Sequence, residues 1–122
     1  LSGLLSETEK KKRRLYLLNR RLENIRTTVY RQTMFASFER EAHLRSANGG
    51  DTTPDGLKEL WYELNRKYYG ETVVIDEPLK MEWARIPHFY SPFYVYQYAT
   101  GFSAATALAQ AVLAEGPRRR DI

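Results

Sequence analysis

The feature that most constrains the fold is a stretch of 22 residues without a charge, Phe93–Ala114. A helix of this length could cross a bilayer. Against that stand several polar side chains, among them Gln97 and Ser103, and many alanines that contribute little transfer free energy. The sequence therefore predicts a helix covered by other protein surface, not by lipid. Ser91-Pro92 predicts its start and Gly116-Pro117 its end.

A long amphipathic helix is predicted at the amino end. Ser6 and Glu9 form a capping box, and Asn48-Gly49-Gly50 is a strong stop signal, so the helix should run for about forty residues. Its apolar positions alternate spacings of three and four, which places them on one stripe. The stripe consists of Leu15, Leu18, Leu22, Ile25 and Val29.

Thr53-Pro54 predicts the start of a second helix, as N-cap and first helical residue, and Gly70 predicts its end. The β-branched run Thr72–Asp76 has no partner strand and is predicted to be a connector. Pro78 should open a short helical turn. Pro87 disfavours helix at the residue before it, so residues 86–91 should form a loop. The predicted class is all-α: a long helix, a second amphipathic helix, an aromatic loop and a buried uncharged last helix.

Composition limits the kinds of function that the chain can have. At 122 residues it should form at most one domain. It has no cysteine, which excludes disulfides and thiolate metal sites and favours the cytoplasm. The net charge of +4 includes basic runs that could contact nucleic acid. A solvated helix face is the favoured interpretation, since no nucleic-acid motif accompanies them, and neither nucleic acid nor membrane is an expected partner.

Candidate chemistry begins with the two histidines. Glu39 and His43 lie one helical turn apart and could bind a metal, but a salt-bridged surface pair is the favoured interpretation. His88 lies in the stretch RIPHFYSPFYVYQYATG, which carries six aromatic rings besides the histidine. A phenol stays protonated at neutral pH and donates well to an oxyanion. The alternative is that these tyrosines pack as half-buried rings whose hydroxyl groups contact water.

The segments TVYRQTMFASFE, WYELNRKYYG and EWARIPHFYSPFYVYQYATGFSAATAL closely resemble oligoendopeptidase F, a branch of the thimet-oligopeptidase-like zinc metallopeptidases. The resemblance covers about residues 10 to 115. It implies part of a large, zincin-like helical enzyme with a deep channel that admits short peptides. In that family, zinc is held by a His-Glu-x-x-His helix and by a glutamate on the next helix, and those positions precede this chain.

The resemblance implies roles for individual residues. His88 and Tyr96 correspond to the catalytic residues that stabilise the oxyanion, and His88, Tyr90 and Tyr94 to substrate-binding positions. Residues 1–122 are thus expected to be a C-terminal segment of the catalytic domain, truncated at both ends, inactive alone and without bound zinc. Its expected partners are a short peptide and either the missing N-terminal part or a second copy covering Phe93–Ala114. The alternative function is a non-enzymatic helical interaction module.

Overall fold

The computed structural model describes residues 10–115, which fold into helices without a strand among them. In chain order the elements are α1 (Lys11–Ile25), a π-helical segment (Arg26–Tyr30), α2 (Arg31–Ala47), α3 (Pro54–Tyr69), two 3-10 segments (Glu77–Arg85 and Pro87–Tyr90) and α4 (Tyr96–Glu115). The all-α class is confirmed.

The predicted long helix is confirmed from Lys11 to Ala47. It is interrupted by the π-helical segment, where the Arg31 amide donates to the Arg26 carbonyl, five residues back. The predicted capping box at Ser6 lies outside the described residues. Beyond Ala47 the chain turns at Gly49, whose φ of 69° is readily adopted by glycine.

Residues 10–115 cover only the end of the apolar stripe predicted for the long helix, where Ile25 and Val29 are partly buried. Leu15 and Leu22 are 55% and 65% exposed, whereas Leu17, which lies off the stripe, is buried. The surface that could cover the rest of the stripe is therefore not part of residues 10–115.

The ends of α3 follow the sequence signals closely. The Gly56 amide donates to the Thr53 hydroxyl at 3.2 Å, so Thr53 is the N-cap, and Pro54 is the first helical residue. Asp51 supports this cap, since its carboxylate accepts from the Thr53 amide and hydroxyl at 2.8 and 2.6 Å. Gly70 ends the helix with a φ of 81°. These predictions are confirmed.

The core lies between α2, α3 and the segment that leads to α4. Trp61 is fully buried and is surrounded by the rings of Phe35, Phe38 and Phe89, with centroid distances of 5.4, 5.0 and 6.2 Å. Each such side chain contributes about 1.5–3 kcal/mol by leaving water. The buried apolar members of this cluster are Met34, Phe35, Phe38, Leu60, Trp61, Leu64, Ile86 and Val95.

The chain between α3 and α4 runs back across this core. Thr72–Asp76 is a connector, as predicted, and the turn predicted at Pro78 is the 3-10 segment Glu77–Arg85. The predicted loop at residues 86–91 is wrong in part, because Pro87–Tyr90 forms a 3-10 turn. The Glu82 carboxylate, which is 7% exposed, accepts from the Arg31 guanidinium at 2.6 Å and so joins this segment to α2.

The last helix starts later than predicted and is exposed in this chain. It begins at Tyr96, and Phe93 has a left-handed φ of 57° that stops the helix from extending back to Ser91. Leu108 and Leu113 are 65% and 75% exposed, so the burial predicted for this helix would have to come from surfaces outside residues 10–115. Among the described residues, no helix is both long and apolar enough to cross a membrane.

Candidate functional site

The candidate site lies on the short path from the second 3-10 segment to α4. His88 sits in the 3-10 turn, and the Ser91 amide donates to its carbonyl at 3.1 Å. The Tyr94 amide then donates to the Ser91 carbonyl at 3.2 Å, which closes a second turn. Two consecutive turns thus bring His88 and Tyr94 to the same side of the chain, next to the first turn of α4.

His88, Tyr94 and Tyr98 form a compact aromatic cluster. The His88 ring is nearly parallel to the Tyr94 ring, with centroids 5.9 Å apart and an interplanar angle of 14°. The Tyr98 ring stands edge-on to both, at 6.2 Å from His88 and 5.6 Å from Tyr94. The Tyr98 hydroxyl donates to the Tyr94 hydroxyl at 3.1 Å. Tyr94 is 43% and Tyr98 37% exposed, so the cluster presents polar groups to solvent.

The hydrogen bond between the two phenols affects the protonation of Tyr98. Because Tyr98 donates to Tyr94, the bond stabilises its protonated form and raises the pKa of Tyr98 above the ordinary value. Tyr94 accepts this bond, so its own O–H is left to donate to another acceptor. A donor that also accepts is polarised by the bond that it receives. The arrangement therefore places a hydroxyl donor, that of Tyr94, beside the His88 imidazole.

The other two predicted tyrosines lie outside this cluster. Tyr96, the first residue of α4, is 55% exposed and makes no ring contact with His88. Tyr90 is 83% exposed and lies at the edge of a cavity of about 230 Å³. The cavity lies between α2 and the 3-10 segments and is lined mainly by apolar side chains, with Glu39 and His43 in one wall.

The prediction of a salt-bridged surface pair at Glu39 and His43 is wrong. Glu39 is buried, at 5% exposure, and its carboxylate accepts from the Phe93 amide at 2.6 Å. The His43 ring packs on the Phe93 ring, with centroids 4.9 Å apart. Both side chains therefore bind the turn that follows His88. Sequence reasoning missed this contact because 54 residues separate its two partners, and no local pattern marks it.

The described residues do not form a metal site. No group of three or more histidine, aspartate or glutamate side chains comes together among residues 10–115 in a way that could hold a metal ion. Glu39 is occupied by the Phe93 amide, and a zinc site needs at least three protein ligands. These residues therefore do not fit the zinc of the resembled family.

Comparison with known proteins identifies the family. Residues 3–121 match peptidase family M3. The chain belongs to peptidase family M3. Its M3 relatives include oligopeptidase PepF of Bacillus subtilis (strain 168), which is 53% identical over 113 residues. The chromosomal oligoendopeptidase F of Lactococcus lactis subsp. cremoris is 48% identical over 110 residues.

The M3 fold is confirmed by a solved structure. The crystal structure of oligoendopeptidase-F from Enterococcus faecium superposes with a TM-score of 0.91 at 45% identity, over 95% of this chain. The matched part is a small share of each relative. This chain spans 17% of the Bacillus protein, 18% of the Lactococcus protein and 22% of the Enterococcus chain.

Proposed function

We propose that this chain is the C-terminal, peptide-binding and oxyanion-stabilising segment of a larger metalloendopeptidase that hydrolyses short peptides. Membership of peptidase family M3 and the names of its relatives, oligopeptidase and oligoendopeptidase F, support the reaction class. The observation that carries the proposal is the cluster of His88, Tyr94 and Tyr98. It places three hydrogen-bonding rings within 5.6 to 6.2 Å of one another at an exposed surface.

His88 and Tyr94 are proposed to bind the substrate's backbone. A peptide carbonyl can accept from an imidazole N–H and from the free O–H of Tyr94, whose rings lie parallel and face the same side. The Tyr98 hydroxyl holds the Tyr94 hydroxyl in position by donating to it. Tyr90, which lines the neighbouring cavity, is proposed to contact a substrate side chain.

Tyr96 is proposed as the donor to the oxyanion. Tyr96 is 55% exposed and is the first residue of α4, two residues before Tyr98. When a peptide carbonyl becomes tetrahedral, its oxygen gains charge, and a donor that strengthens with that charge lowers the barrier. The assignment rests on the resemblance, and the exposed position of Tyr96 is compatible with it.

Zinc enters this proposal only through the family. The resemblance implies a zinc-dependent peptidase, but no set of described residues here fits the ion. Any zinc ligands would therefore come from other residues of the enzyme. The part proposed for this chain is limited to binding the peptide and donating hydrogen bonds to its reacting carbonyl.

The exposed apolar faces are proposed to meet the rest of the enzyme or a second copy of the chain. Leu22 on α1 and Leu108 and Leu113 on α4 are each at least 65% exposed. A groove between these two helices is lined by Ile25, Phe102, Ala105 and neighbouring side chains. Exposed apolar surface of this extent is typical of an interaction site.

The test is Tyr96→Phe in the full-length enzyme that carries this segment. Phenylalanine keeps the ring and removes only the donor, so turnover should fall about a hundredfold with KM much less changed. His88→Ala should lower kcat and also raise KM, since His88 is assigned to the ground-state carbonyl. Tyr94→Phe should act mainly on KM, because Tyr94 is assigned to substrate binding. The measurements are kcat and KM on a fluorogenic peptide, with zinc content determined for each variant.

Tyr68→Phe is the matched control. It also removes one phenolic hydroxyl, but that hydroxyl bonds the Ser37 hydroxyl at 2.9 Å between α3 and α2 and is not a member of the cluster. It should lower stability slightly and leave kcat unchanged. Normal turnover in a folded, zinc-loaded Tyr96→Phe enzyme would contradict the oxyanion role. Normal kinetics in both His88→Ala and Tyr96→Phe would contradict the whole proposal.

A further inference from the structure

The turn that follows His88 contains a residue in an unfavourable backbone conformation. The bond from the Tyr94 amide to the Ser91 carbonyl closes a four-residue turn with Pro92 and Phe93 at its centre. Phe93, the third residue of the turn, has a φ of 57°. Turns that need a left-handed third residue favour glycine or asparagine there, and a bulky aromatic is strained. Something outside the turn must hold Phe93 in this conformation.

Two side chains of α2 provide that hold. The Glu39 carboxylate accepts from the Phe93 amide at 2.6 Å, and the His43 ring packs on the Phe93 ring. Glu39 is only 5% exposed, and no cation lies within ion-pairing distance of its carboxylate among the described residues. A buried carboxylate without a cation is unfavourable, so its presence has to be accounted for.

We propose that Glu39 is a positioning residue, supported by His43, that fixes the Phe93 turn and thereby holds Tyr94 beside His88. Phe93 directly precedes Tyr94, so a change in the Phe93 backbone moves the Tyr94 ring off the His88 ring. The bond between the phenols of Tyr98 and Tyr94 would be lost at the same time, since Tyr98 is fixed by α4. This inference rests on the proposed function, because it assigns Glu39 a role in presenting the same cluster.

The decisive variant is Glu39→Met in the full-length enzyme that carries this segment. Methionine matches glutamate in length and suits a buried site, so it adds no polar group of its own and leaves the Phe93 amide without the Glu39 acceptor. The change also removes the desolvation cost of a buried carboxylate that has no cationic partner among the described residues, and this offsets the lost hydrogen bond. The unfolding midpoint should therefore hold or rise, whereas kcat should fall about ten- to a hundredfold, since small misplacements of a catalytic group are costly. A purely structural role would lower stability and activity together.

Glu39→Gln is the conservative rescue. Its amide oxygen can still accept from the Phe93 amide, although a bond to a neutral acceptor is roughly half as strong as one to a charged acceptor. Hydrogen exchange at the Phe93 amide, followed by mass spectrometry of the peptide that contains it, reports the bond without reference to activity. Exchange should be slow in the parent and in Glu39→Gln and fast in Glu39→Met, with kcat following the same order.

Glu41→Gln is the matched control on the same helix. Its carboxylate pairs with Arg40 at 3.0 Å at the surface, and the change should alter neither Phe93 exchange nor kcat. A Glu39→Met enzyme with fast exchange and kcat within about threefold of the parent would overturn the inference. If His88→Ala still lowered kcat and raised KM in that enzyme, the proposed function would stand and only the positioning role would fail. If Glu39→Met did not fold, Glu39→Gln would provide the test. Faster exchange of the Phe93 amide than in the parent enzyme, without a loss of kcat, would then overturn the positioning role of Glu39.

Discussion

The ion pair between Arg31 and Glu82 gives a stability prediction with a built-in comparison. Glu82 receives two guanidinium groups: Arg31 at 2.6 Å and Arg85 at 3.2 Å. The side chains of Arg31 and Arg85 are 30% and 78% exposed, whereas that of Glu82 is 7% exposed. The two arginines therefore bind the same carboxylate in very different surroundings. Arg31→Met and Arg85→Met each remove one guanidinium and keep an apolar stem.

The expected losses follow from these exposures. Removing one member of a buried pair costs about 3–5 kcal/mol, because the remaining charge is left without a partner. Arg85 would still donate to Glu82, and water partly reaches Arg31, so we expect about 2–3 kcal/mol for Arg31→Met. Arg31 also lies over the Phe35 ring, at 4.7 Å from its centroid, which contributes to this loss. Arg85→Met removes an exposed pair and should cost less than about 1 kcal/mol.

The assay is equilibrium urea unfolding, followed by circular dichroism. The dependence of the free energy of unfolding on urea concentration (the m-value) should be the same for all variants, which verifies that each unfolds between the same two states. The double variant Arg31→Met/Glu82→Leu should recover part of the loss, since it leaves no carboxylate without a partner. Equal losses for the two single arginine variants would refute the reasoning, because burial would then not determine the strength of the pair. Strict additivity in the double variant would refute it as well.

Two further predictions concern the phenols and the uncovered helices. The pKa of Tyr98 should lie above the ordinary value for tyrosine, and Tyr94→Phe should lower it, as ultraviolet absorbance of the phenolate can measure. The hydrogen bond stabilises the fold at pH values below the ordinary tyrosine pKa, and this stabilisation is lost as the pH rises through the raised pKa of Tyr98. The isolated 122-residue chain should form a dimer or larger oligomer through Phe93–Ala114, and the variant Leu108→Glu/Leu113→Glu should be a monomer. If light scattering gave the parent chain the same monomeric molar mass as this variant, the prediction would be contradicted.

The helix ends that sequence could predict are those set by local chemistry. Thr53 and Pro54 act within one turn of α3, and Gly70 ends that helix through its own backbone freedom. The same reasoning failed at Ser91-Pro92, where an equally good local signal is present. There the Phe93 amide bonds to Glu39 on α2, and the turn replaces the predicted first helical turn. A contact between residues far apart in sequence overrode a local preference.

The same distinction applies to the candidate site. The hydroxyls of Tyr94 and Tyr98, four residues apart in sequence, do meet, although Tyr94 lies in the turn before α4 and not in the helix itself. The rings of Tyr94 and Tyr98 contact His88 because of two consecutive turns, and the local sequence pattern does not predict the geometry of those turns. The local sequence predicts Glu39 to be one member of a salt-bridged surface pair with His43, one helical turn away. Its burial follows from the turn that packs on it.

The long helix therefore supports the candidate site at two points. Arg31 holds the 3-10 segment that precedes His88, and Glu39 holds the turn that follows it. The two anchors are eight residues apart on α2, or about 12 Å along its axis. The π-helical segment ends immediately before Arg31, and its additional residue per turn rotates all of α2 relative to α1. A regular α-helix through Arg26–Tyr30 would rotate α1, most of which is exposed, relative to α2, whose Met34, Phe35 and Phe38 are buried in the core. The π-helical segment therefore sets the direction of α1 relative to the part of the long helix that carries the two anchors.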